Sequence, residues 1–86
     1  MNEVCEVAKV EEEGGGLFTA IRPKYGNLHG LNKRQAQAYV DGYNAAETDL
    51  PFSASELQRI VSELDTLPVC DTVSWFKRLI GEKLRN

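Results

Sequence analysis

Cys5, His29 and Cys70 are the only soft metal ligands in this chain of 86 residues. None is paired at the close spacing that zinc sites use, so no metal is expected. Cys70 precedes a predicted helix start, where a thiolate is stabilised, and His29 could serve as its base. Adjacent Asp71 opposes that stabilisation. The run Gly14-Gly15-Gly16 is not followed by the Gly-Lys-Ser/Thr of a phosphate loop, and there is no Gly-x-Ser-x-Gly elbow. Carboxylates are abundant, but no pair stands out from the charged faces around it. Glu11, Glu12 and Glu13 read most simply as a solvated hairpin tip, and glycosidase chemistry needs a cleft that so short a chain seldom encloses. The expectation is a non-enzymatic protein with no cofactor.

The basic residues say more. Lys33 and Arg34 fall in the first turn of a predicted helix, where the positive end of the macrodipole disfavours each cation by roughly 0.3 to 1 kcal/mol. An external anion could offset this. Arg22, Lys24, Lys33, Arg34 and His29 could then surround phosphate oxygens, with Tyr25 as a stacking face. Carboxylates from Glu11 to Glu13 or from a partner are the other candidates. Near the C-terminus Lys77, Arg78 and Arg85 share a polar helix face, and Trp75 and Leu79 sit at the edge of a wide apolar arc. Either the N-terminal hairpin covers that edge, or it forms a patch for a partner or a second copy. Gly42, in mid-helix, costs about 1 kcal/mol relative to alanine and joins Ala38 and Ala45 in a strip of small residues. The strip suits either a docking groove for a partner or close packing inside the domain.

Around these residues the composition is that of one small folded domain. Apolar residues make up 42% and charged residues 27% of the chain, without a low-complexity run. A single core of this size leaves a net stability of about 5 kcal/mol. The net charge is −3, distributed in alternating blocks. Acids dominate up to residue 20 and again over 35–74, while bases dominate 21–34 and 75–86. The acidic balance argues against a dedicated nucleic-acid binder. Neither a membrane span nor a basic, apolar leader is apparent, which points to a cytoplasmic protein. Cys5 and Cys70 could close a long disulfide loop, but that setting favours free thiols.

The elements follow from caps and periodicity. Three β-branched or apolar positions in 4–10, the glycine loop and the stretch 17–21 predict a β-hairpin over about 4–22. The alternative is an N-terminal helix with Met1, Val4, Cys5 and Ala8 on one stripe. Proline, glycine and asparagine signals make 22–31 a basic loop. Asn32 with Gln35 forms a capping box that opens a helix over about 32–46. Ser53 with Glu56 opens a second over about 53–66, with Phe52 placed to staple Leu57. Pro68 stops it, and Asp71 or Thr72 caps a third over about 72–85.

The fold class is therefore α+β, a short hairpin packed on three helices in one domain, with an all-helical bundle as the alternative. A compact acidic chain without a catalytic motif suits a regulator or inhibitor that occupies a surface of another protein, of the kind carried by phages and mobile elements. The second reading is a nucleic-acid-binding regulator, using either the basic 22–34 segment or a helix-turn-helix of the last two helices with Lys77 and Arg78 facing DNA.

Overall fold

A computed structural model describes residues 6–85. The fold is α+β: strands β1 (Lys9–Gly14), β2 (Leu17–Arg22) and β3 (Gly26–Leu31), then helices α1 (Lys33–Glu47), α2 (Ala54–Leu64) and α3 (Asp71–Arg85). The strands form an antiparallel meander in the order β1-β2-β3. The hairpin of β1 and β2 is present from Lys9 onward, and residues 4 and 5 lie outside the described part. So does Cys5, while Cys70 is an exposed free thiol.

The stretch 22–31 departs from the sequence expectation. Only Pro23 to Tyr25 form a turn, and Gly26–Leu31 is a third strand. Its glycines read as loop signals, yet they serve the sheet. Phe18 pairs with Leu31 but Ala20 pairs with Leu28, so His29 and Gly30 together oppose Thr19 in a β-bulge. Gly30 has φ of +70°, the left-handed value such a bulge requires. A matching irregularity lies on the other side of β2, between Glu12 and Gly14, where Gly14 has φ of +106°. Both neighbours of β2 are thus kinked close to Phe18, β1 on its Leu17 side and β3 on its Thr19 side.

Alternation sorts the side chains. Val10, Phe18, Ala20, Leu28 and Leu31 face the helices and join the core. Arg22 continues the Phe18-Ala20 row and is likewise buried. Lys9, Glu11, Thr19, Ile21, Asn27 and His29 lie on the opposite row.

Helix α1 lies between the sheet and the other two helices. A helix covered on two sides needs small or apolar residues most of the way round. Ala36, Ala38, Tyr39, Val40, Gly42, Tyr43, Ala45 and Ala46 are all buried. A Cβ on Gly42 would stand 2.8 Å from Leu64 Cδ2 and 3.3 Å from Phe76 Cδ2. Gly42 is therefore not part of a docking groove; the strip with Ala38 and Ala45 is the seat on which α2 and α3 pack. On the sheet side the Asn44 side chain acts as a strand partner to Ala8, accepting from its N–H at 2.8 Å and donating to its carbonyl at 3.3 Å.

The first two helices start where their capping boxes place them, with Asn32 and Gln35 in α1 and Ser53 and Glu56 in α2 exchanging side-chain and backbone bonds. Helix α2 stops at Leu64, two residues short of the expected end. Helix α3 begins one residue early, because the Cys70 carbonyl, rather than Asp71 or Thr72, accepts the first helical bond, from Ser74 N–H at 3.0 Å. Phe52 and Leu57 border one cleft.

Candidate functional site

Because α1 runs back along β3, the basic stretch is pulled apart. Lys33 and Arg34 follow the last residue of β3, whereas Arg22, Lys24 and Tyr25 precede its first. Five strand steps separate the two groups, roughly 17 Å. They do not form the single anion cradle expected from the sequence.

At the near end the last turn of α1 brings Glu47 against the β2–β3 turn. Its carboxylate accepts from Lys24 Nζ at 3.2 Å and from the Tyr25 hydroxyl, with Trp75 of α3 close by. Burial pushes the Glu47 carboxyl up, but Tyr25, Lys24 and Trp75 together outweigh it and hold the group below its usual range. The same partnership, after burial, pushes the Tyr25 phenol up to about 12, so it remains a donor at neutral pH. Below it, the Tyr25 ring meets Tyr43 and Phe76 edge to face, with centroids 6.0 and 5.4 Å away. Such pairs contribute about 1 kcal/mol each beyond their burial.

The outer rim of this cluster is open. Trp75 is 44% exposed and Tyr25 36%. The Arg78 guanidinium lies 5.9 Å above the Trp75 ring and pairs with Glu82 at 3.8 Å. Leu79, one turn on, packs partly into the core. The β-sheet does not cover Trp75; the turn at Tyr25 only borders it. Lys77 points to the other side of α3 and is bonded to Asp65 at 2.9 Å. The helix-turn-helix reading thus loses one of its two proposed DNA contacts to an internal ion pair, and the other stacks on tryptophan.

Glu47 is the organising residue that sequence reasoning missed. Its signal was present: an acid in the last turn of a helix opposes the macrodipole and needs a partner. Neither end of α1 carries the favourable charge, with no acid in the first turn and no base in the last. At the C-terminal end Lys83 of α3 supplies a cation from outside, donating to Ala45 O at 2.5 Å and Thr48 O at 2.9 Å. The same lysine borders an open cleft of about 330 Å³ with Asp49, Leu50, Pro51, Phe52 and Leu57. At the N-terminal end nothing comparable happens. Glu13 turns away to Thr19, His29 and Gly30, and Glu11 pairs with Lys9 at 3.7 Å. Among the described residues Lys33 and Arg34 form no ion pair.

His29 is accounted for on the outward row of the sheet. Its Nδ1 lies 3.0 Å from the Thr19 hydroxyl and 3.2 Å from Glu13 Oε2. Cys70 stands at the start of α3, in the helical layers, so the sequence pairing of His29 with Cys70 as base and nucleophile does not form. Among the described residues no cluster of histidine, cysteine and carboxylates is disposed to hold a metal ion, and no helix is long and apolar enough to cross a membrane.

Comparison with known proteins finds no matching family model, no similar curated protein and no similar solved structure.

Proposed function

We propose that this protein is a non-enzymatic regulator or inhibitor that works in the cytoplasm by occupying a surface of another protein, with Trp75, Tyr25, Arg78 and Leu79 at the centre of contact. The observation that carries the reading is Trp75, 44% exposed yet held in place. Exposing a tryptophan forfeits about 2 kcal/mol of burial. Here the indole lies near Glu47 and is stacked under Arg78, which restricts the side-chain freedom to be lost on binding. Trp, Tyr and Arg are the residue types that dominate interface hot spots. Lys24, on the same side, supplies a charged rim. A small acidic protein with such a face suits the inhibitors carried by phages and mobile elements, an analogy of size and composition.

The test is site-specific photo-crosslinking in cell lysate. A crosslinker at position 75 should trap one protein that a crosslinker at exposed Gln58 on α2 does not, and Trp75→Ala should abolish capture from a probe at position 78. Identical products from positions 75 and 58 would defeat the proposal.

A second reading rests on Lys33 and Arg34, exposed at a helix start without a carboxylate. They favour a nucleic-acid backbone as the anion. Salt-sensitive mobility shifts with mixed DNA and RNA, lost on Lys33→Glu/Arg34→Glu, would establish this reading and displace the first.

A further inference from the structure

Arg22 is a buried cation without a counter-ion. Its residue surface is 7% exposed, and among the described residues no carboxylate pairs with it. Its guanidinium carbon lies 5.6 Å from the ring centroids of both Tyr25 and Tyr39. The one hydrogen bond is long, from Nε to the Gly26 carbonyl at 3.4 Å. Four of its five N–H donors, those on the two terminal nitrogens, therefore bond no group of the described chain. Buried charges are ordinarily paired and hydrogen-bonded, because desolvating a lone ion is expensive. Burial accordingly draws the guanidinium below its ordinary pKa.

The unused donors are reachable. Every fully enclosed side-chain nitrogen or oxygen among the described residues has a hydrogen-bond partner. The terminal nitrogens of Arg22 have none, so they must touch solvent. The Tyr39 hydroxyl is in the same position, the polar end of a residue only 8% exposed and without a partner. The titratable groups around Arg22 are Tyr39, Cys70 and Tyr25, none of them a carboxylate. Arg22 and Tyr39 thus sit side by side, the guanidinium carbon 5.6 Å from the Tyr39 ring centroid, each with a polar end that bonds no group of the described chain.

We infer that Arg22 and Tyr39 form a receptor for a carboxylate supplied from outside the chain. The guanidinium offers donors only, and the Tyr39 hydroxyl can add another, which together favour an acceptor group. The planar fork of a guanidinium matches the two oxygens of a carboxylate. This site shares Tyr25 with the Trp75 face but does not require that face to bind protein.

The experiment follows the guanidinium NMR resonances of isotope-labelled full-length protein during titration with acetate at constant ionic strength, with chloride as control. The Arg22 signal should shift saturably with acetate and not with chloride. Two further arms locate the source. A blocked Gly-Glu-Gly peptide that binds while acetate does not marks a macromolecule-borne carboxylate, and acetate binding as tightly as the peptide marks a small free ligand. Tyr39→Phe, which keeps the ring beside the guanidinium and removes only the hydroxyl, should weaken binding roughly tenfold, the worth of one bond to a charged group. Absence of a saturable shift with either probe would overturn the inference, as would unchanged affinity in Tyr39→Phe. Tighter binding of inorganic phosphate than of either carboxylate would overturn the assignment of ligand class.

Discussion

Glu13 reaches across β2 to Gly30: its Oε2 accepts the Gly30 backbone N–H at 3.1 Å, so a side chain from one edge strand satisfies the backbone of the other. Both residues sit in bulges, one on each side of the level of Phe18, and the Thr19 hydroxyl also donates to Glu13. A bulge leaves one residue out of the ladder. Here the group left out on β3 is answered by a carboxylate from β1.

The bonds from Thr19 first, then from Gly30 and His29, hold the Glu13 carboxyl below its ordinary pKa. A folded pKa below the unfolded one adds stability that is present above the unfolded value, about 4.3, and is lost as pH falls through the folded value. Wild-type protein should therefore resist urea better than Glu13→Gln at neutral pH, and the difference should vanish on acidification below that range. An equal difference at both ends of the titration would show that the charge of Glu13 is immaterial.

Gly42 separates internal packing from docking. An added Cβ there meets the fully buried Leu64 at 2.8 Å. Gly42→Leu should destabilise the fold by about 3 kcal/mol through overpacking, seen as a collapse of the thermal transition. In Gly42→Ala the gain of about 1 kcal/mol in helix propensity opposes a smaller clash, so it should melt much closer to wild type.

Lys83 substitutes for the missing basic residue at the end of α1. Lys83→Met keeps the aliphatic stem but leaves the Ala45 and Thr48 carbonyls without their shared donor. A loss of about 1 to 2 kcal/mol is expected in chemical denaturation. The exposed control Arg85→Met should change stability little.

Lys33 and Arg34 should act in opposite directions on stability and binding. Reversing both charges removes two cations from a positive helix end and adds two anions. The isolated protein should gain about 1 kcal/mol or more at low salt, with the gain shrinking as salt is added. If these residues hold an acidic partner or a nucleic acid, the same double variant should lose affinity. A more stable protein with unaltered partner capture would remove them from the interface.

Much of the fold was legible in advance, and the reasons divide by residue. Asn32 with Gln35 and Ser53 with Glu56 fixed two helix starts, because a capping box is a local exchange of bonds that needs no tertiary context. The third strand was hidden because Gly26, Asn27 and Gly30 carry the same local signature in a bulged edge strand as in a loop. That error also concealed Arg22. Placed in a loop, it reads as a solvated base; placed third in the row Phe18-Ala20-Arg22, it points into the core. The candidate site was half legible for a similar reason. Trp75 stood out from helical periodicity alone, but Glu47 is nearly thirty residues away, and only the packing of α3 against α1 brings the two together. Lys24 and Lys33 are nine positions apart and looked like neighbours, yet an extended strand between them sets them at opposite ends of the sheet.

The paired kinks in β1 and β3 also bear on how this chain behaves in a crowd. A three-stranded sheet has two open edges, and a flat open edge is a template on which further strands can add. Here each edge is bent close to Phe18, and β1 carries Glu11, Glu12 and Glu13 in succession along its rim. An incoming copy would meet an interrupted hydrogen-bonding pattern and a row of like charges. The glycines that disguised the third strand in the sequence thus help to keep the sheet finite and guard the chain against fibrillar growth.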